Sequence, residues 1–229
     1  MRAPALALVL AAVLLAGCGG GGSSAKPNDE ASKPATRVLA DARAAASAAT
    51  SAHVAGSLKS SGTPVTLDLS TARGKGATGS MSANGAGFDL VRIGDVVYIK
   101  GSDEFLKQNA GALIAQLLHD KWLKASIRKG RFASLAPLTS VGLLLGLVSR
   151  HHGKLVNDGK TTYDGQRVVA IRDTSDNSKL YVAATGTPYP VAIVGGRGNQ
   201  SGTITFDDWN KHVSLTAPSD AIDISKLGG

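Results

Sequence analysis

The strongest constraint on this chain is a run of alternating apolar and polar residues punctuated by glycine turns. Val65, Leu67 and Leu69 alternate with Thr66, Asp68 and Ser70, the period of a strand with one face buried and one face wet. Around them lie Ser61-Gly62, Arg73-Gly74-Lys75-Gly76, Asn84-Gly85 and Gly94-Asp95. Asn-Gly supplies the two positive φ angles of a tight hairpin. Strands are therefore expected at 52–58, 65–71, 77–83, 87–92 and 96–100, joined too closely to be anything but antiparallel. The 77–83 stretch is small and polar, which suits an edge or a wet face. A second β block is expected at 154–162, 166–173, 179–184, 191–195, 202–207 and 213–216, with a hairpin at Asp164-Gly165.

Helical periods interrupt the strands at three places. Residues 34–51 are alanine-rich, with Ser32 a candidate cap, Pro34 tolerated in the first turn, and Val38, Ala42, Ala45, Ala46 and Ala49 on one face. Ser102 opens a second helix, its first turn carrying Asp103 and Glu104. Leu106, Ala110, Leu113 and Leu117 share a face of that helix, which Ile114 and Leu118 widen. Gly111 weakens it by about 1 kcal/mol. Lys121-Trp122-Leu123-Lys124 reads as a short returning strand. A third helix is expected over 138–150, apolar nearly all round through Val141, Leu143, Leu144, Leu145, Leu147 and Val148, and too short to span a bilayer. Arg150, His151 and His152 suit its C-terminal dipole, and Gly153 its stop. The fold class is α+β: an antiparallel sheet of about 10–11 strands with two central helices and an N-terminal helix, either packed into a closed core or curved beneath the helices around an apolar cavity.

The N-terminal segment speaks of address. Arg2 precedes an apolar stretch of about 14 residues, too short for a transmembrane helix. Leu15-Ala16-Gly17-Cys18 follows. Small residues before a cysteine at the end of such a stretch read as a lipobox, with cleavage before Cys18 and a diacylglycerol on its thiol; an ordinary cleaved signal beside an incidental cysteine, or a short membrane anchor, is the alternative. Cys18 is the one cysteine of the 229 residues, so no intrachain disulfide or Cys-X-X-Cys redox or zinc site is available. On this reading residues 1–17 are a signal peptide, 18–33 an acylated cysteine and flexible tether, and 34–229 a single domain. The protein is then exported and lipid-anchored to the outer face of the cytoplasmic membrane or the cell envelope.

Chemistry is harder to find. The five histidines form no His-Glu-x-x-His pattern, and the adjacent His151 and His152 diverge on a helix. There is no Gly-x-Ser-x-Gly elbow. The run Gly195-Gly196-Arg197-Gly198 lacks the Lys-Ser/Thr end and following helix of a phosphate loop. Asp207-Asp208 point opposite ways on a strand. No catalytic residue, metal site or cofactor is assigned. The net charge of +8 is scattered, without the base-stacking aromatics of a nucleic-acid binder; for an exported chain it fits anionic lipid headgroups or cell-wall polymers, or equally a solvated basic surface with no specific partner.

The lipobox, the alanine-rich helix, the block with Val65-Thr-Leu-Asp-Leu, then Arg92-Ile-Gly-Asp-Val-Val-Tyr-Ile-Lys, Lys121-Trp122, Phe132-Ala-Ser-Leu and Tyr181-Val-Ala-Ala-Thr-Gly-Thr-Pro-Tyr-Pro together resemble the LppX/LprG-type lipoproteins of actinobacteria, similar in fold to LolA and LolB. The resemblance covers about residues 34–225. It implies a strongly curved, helix-covered half-barrel whose apolar cavity takes acyl chains, in some members to carry lipids or glycolipids outward. No binding motif transfers residue by residue. Pattern alone offers Leu67, Leu69, Leu90, Leu113, Leu117, Val141, Leu144, Leu145 and Val148 as lining. Two readings follow: a monomeric, membrane-tethered, non-enzymatic binder or carrier of a lipid or glycolipid, and a solid-cored module that docks an envelope protein.

Overall fold

The computed structural model describes residues 25–60, 62–128, 133, 153–196 and 201–224. The signal peptide, Cys18 and the 138–150 helix expected from sequence lie outside them, and with that helix Val141, Leu144, Leu145, Val148, His151 and His152.

The chain joins the domain earlier than the tether reading places it. Pro27 bridges to Thr185, Asn28 donates its side-chain amide to Ala183 O at 2.9 Å, and Glu30–Ser32 form a 3₁₀ turn. Glu30 is buried, its carboxylate held at 2.7 Å by Lys33, which also reaches Asp29 and Asp41 at 2.9 Å. Hydrogen bonds to these three, Glu30 first, hold the Lys33 ammonium well above its ordinary pKa. Helix α1 (Ala35–Ala48) starts at Pro34 rather than at a capping Ser32, whose hydroxyl instead donates to Asp29 O.

Five strands follow as a meander: β1 (Ser51–Ser60), β2 (Thr63–Ala72), β3 (Gly76–Ala83), β4 (Ala86–Ile93) and β5 (Val96–Gly101). Helices α2 (Asp103–Ala110) and α3 (Ala112–Leu118) lead to β6 (Leu123–Ser126). The second meander is β7 (Leu155–Tyr163), β8 (Gln166–Asp173), β9 (Lys179–Ala183), β10 (Pro190–Val194) and β11 (Gly202–Asp207), and β12 (Ile222–Asp223) ends the order. Residues 213–216, expected as a strand, are irregular, and the last pairing is the two-residue β12, parallel to β6. Strand β3 is not at an edge either: it pairs β2 on one side and β4 on the other. Its small residues serve a crowded position, while Ser80 meets water on the outer face.

All twelve strands form one open sheet in the order β12-β6-β5-β4-β3-β2-β1-β11-β10-β9-β8-β7. The two meanders meet where β1 pairs β11, with His53 opposite Asp207 and Val54 opposite Phe206. Glycine lets the strands bend. Gly56 and Gly79 have φ of +141° and +144°, and a Cβ built on them would lie 2.1 Å from Thr203 O and 2.0 Å from Asp68 O, space that a neighbouring strand fills.

One face of this curve is apolar and helix-covered. Val38, Leu39 and Ala42 of α1 pack on Val169, Ile171, Val182 and Ala184 of the second meander, and further along Ala46 packs with Val54, Leu67, Ile204 and Phe206. Alanine lets the helix lie close to the sheet, and burying a side chain such as Val38 contributes about 1.5–3 kcal/mol. At the other end Leu69, Leu90, Val97, Ile99 and Ile127 form a separate cluster.

Candidate functional site

Three of the residues expected to line a cavity lie on the inner face within its packed clusters. Leu69 and Leu90 are fully buried and Leu67 nearly so. Leu67 lies opposite Met81, Met81 opposite Phe88, and Phe88 opposite Gly101. The missing side chain at Gly101 leaves room for Phe105, whose ring centre is 5.0 Å from that of Phe88. This row lies between the α1 cluster and the Leu69 cluster, and Met81 touches both. Leu58, Met81, Phe88 and Phe105 along it are only half-buried. A strip of half-buried apolar side chains thus runs along the inner face, Leu58 and Met81 packed against the first cluster and Met81, Phe88 and Phe105 against the second.

Leu113 and Leu117 do not join that strip. They are 79% and 73% exposed, and Ile114 44%. Their placement in the interior assumed one continuous helix. Gly111, at φ +84° and ψ 162°, breaks it into α2 and α3 and resets the helical phase. Leu106 and Ala115 then become the residues that pack on Leu123. Ser102 caps α2 as expected, its hydroxyl accepting from Phe105 N at 3.2 Å.

The outer face is polar. A groove of about 680 Å³ runs across β2 to β5 and the start of α2. Thr66, Asp68, Ser80, Ser82, Asp89 and Lys100 line it from the strands together with Leu67, Met81 and Phe88, and Asp103, Glu104, His119 and Asp120 close one end. Most of its charges are already matched. Lys100 lies 2.5 Å from Asp120, an ion pair that raises the lysine pKa and lowers that of the aspartate. His119 lies 2.6 Å from Asp103, and that hydrogen bond raises the imidazole pKa.

Beside the groove His53 is clasped between two strands. Its Nδ1 lies 2.9 Å from Asp207 and its Nε2 2.9 Å from Asp68. Burial alone would lower its pKa, but the two carboxylates outweigh burial and hold it above the ordinary value. With a carboxylate on each side, neither ring nitrogen is free for a substrate, and the two acids cannot converge on one ion. Among the described residues no group of three His, Cys, Asp or Glu side chains is placed to hold a metal. The clasp joins three strands and was not legible in sequence: its partners are 15 and 154 residues from His53.

No family model and no curated protein matches the sequence. Two solved structures share its fold. LprF of Mycobacterium bovis is 15% identical with a TM-score of 0.55, the match covering 84% of this chain and 99% of that one. The lipoprotein LppX of Mycobacterium tuberculosis is 20% identical with a TM-score of 0.50, covering 79% and 99%. The chain therefore has the LppX-type fold, a large, open, mostly antiparallel sheet with helices on one face.

Proposed function

We propose that this protein is an exported lipoprotein, acylated at Cys18, that binds a lipid or glycolipid beneath the helix-covered face and carries it within the envelope. The half-buried strip of Leu58, Met81, Phe88 and Phe105, packed against the two inner-face clusters, carries the reading. It is a linear apolar surface, and an acyl chain laid along it gains about 0.8 kcal/mol per buried CH₂. The fold shared with LprF and LppX supports it. The work is binding and release, without catalysis. The core clusters hold the sheet's curve, and the strip between them accepts the ligand.

Native mass spectrometry of the protein produced in its own host tests this. One acyl-bearing ligand per chain is expected, and Met81→Trp, which fills the strip, removes the ligand while the thermal melt persists. Ligand-free protein in every preparation, or a ligand retained by Met81→Trp, refutes it.

A further inference from the structure

Helix α3 has the wrong surface for a free-standing domain. Leu113, Ile114 and Leu117 are the large hydrophobic residues left most exposed among those described. They share one seven-residue helix. Neighbouring large side chains on the same corner, Leu106 and Leu123, are buried, so the exposure is local.

The charges around α3 favour one kind of neighbour. Asp103 is taken by His119 and Asp120 by Lys100; Glu104, hydrogen-bonded only to the uncharged Gln108 among the described residues, keeps its charge. Lys107 at the end of α2 and Lys121 just past α3 are both exposed. Each is pinned to the corner by backbone: Gly111 N donates to Lys107 O and Lys121 N to Leu118 O, both at 3.0 Å. Trp122, half-buried, follows. Apolar residues flanked by lysines and a tryptophan are the composition of a segment that rests in a headgroup layer, and the chain's net charge of +8 draws it to an anionic one.

The proposed tether bears on proximity rather than on which face is presented, since it joins beside the loop after β9 while α3 lies by β6 toward the other end of the strand order. The domain begins where Gly186 N donates to Lys26 O at 2.8 Å. From Cys18 to Lys26 the chain reaches at most about 28 Å. A domain held that close presents its surface to the bilayer continually.

We infer that the exposed face of α3 is a second, reversible membrane contact that seats its apolar residues in an anionic lipid surface and fixes how the domain faces the bilayer. This uses the proposed anchor at Cys18 for proximity, but the contact itself does not require acylation.

Hydrogen exchange of the full chain reads the contact directly, with excess vesicles of phosphatidylcholine containing about one third phosphatidylglycerol, and again with phosphatidylcholine alone. Amides of residues 112–118 are expected to slow about threefold or more on the anionic vesicles only, while β3 amides are unchanged. Leu113→Ser with Leu117→Ser removes the slowing and lowers vesicle partitioning about tenfold, with the thermal melt intact. No slowing, or equal slowing in the double variant, overturns the inference. Protection that appears without vesicles and grows with protein concentration overturns it in favour of self-association. Absence of the acyl group shows in the mass of Cys18, and absence of a carried lipid in native mass spectrometry; neither moves the α3 readout.

Discussion

Replacing Gly79 by alanine should be among the most damaging single-methyl changes in this protein. The added Cβ would lie 2.0 Å from Asp68 O and 2.9 Å from Leu69 Cα, where an ordinary carbon–oxygen contact is about 3.3 Å. Strands β2 and β3 must then part by more than an ångström. Holding an L-residue at φ +144° costs about 1–3 kcal/mol. Parting the strands loses one or two ladder bonds at about 1 kcal/mol each. The loss comes to about 2–5 kcal/mol, a large share of a domain stability of about 5–15 kcal/mol. The melting temperature should fall by about 4–20 °C. Urea denaturation followed by circular dichroism measures the loss of stability, and a thermal scan the fall in melting temperature. Gly85→Ala is the control: its φ is also positive, at +78°, but a Cβ there meets nothing within 4 Å, so only the backbone term of about 1–2 kcal/mol remains. A Gly79→Ala loss no larger than that of Gly85→Ala would refute the claim that close strand approach requires glycine here.

Other outcomes follow from the same geometry. His53 has a raised folded pKa, so its clasp stabilises fully below the unfolded value of about 6.5 and is lost as pH rises through the folded pKa. The advantage of wild type over His53→Gln, roughly 0.5–1 kcal/mol for part-exposed pairs, should be measurable by melts at pH 5.5 and absent at pH 9. Leu69→Ala, at a fully buried site, should cost about 2–5 kcal/mol in the same denaturation assay; Leu117→Ala, 73% exposed, should stay within about 0.5 kcal/mol. Ser102→Ala removes the cap on Phe105 N and the acceptor for Gly87 N, a loss of about 1 kcal/mol in thermal unfolding.

The β-block was legible because its signals are local. Asn84-Gly85 and Asp164-Gly165 both adopt positive φ pairs, as their dipeptides require, and strand alternation sorted Leu67, Leu69 and Leu90 to the inner face. What failed was long-range or depended on a single φ. Gly111 was visible as a weak point, but a weak point and a break differ by whether tertiary packing spans it, and here Leu123 selects Leu106 and Ala115 instead. The small residues of β3 read as peripheral because composition does not distinguish a wet edge from a crowded centre. Residues 27–33 read as tether from their polarity, yet Asn157 of β7 donates its side-chain amide to Lys33 O at 2.8 Å and Glu30 is buried with its lysine. The outer groove and the His53 clasp gather side chains from strands distant in sequence, which no local pattern announces.

The pairing of β1 with β11 also has a kinetic side. Each meander is closed by short hairpins, but this seam joins residues such as His53 and Asp207 that are 154 apart. Closing a loop of that length costs about 4 kcal/mol in chain entropy before any contact compensates. The halves should therefore assemble separately, with the seam formed last. Until β11 arrives, ten residues of β1 stand as an open strand edge, able to pair with the same edge of another molecule. Synthesis from the N-terminus delivers β1 well before β11, so the interval is built into it. Lesions at Phe206 or Ile204 would then lower yield by aggregation during folding more than they lower the stability of the protein that does fold.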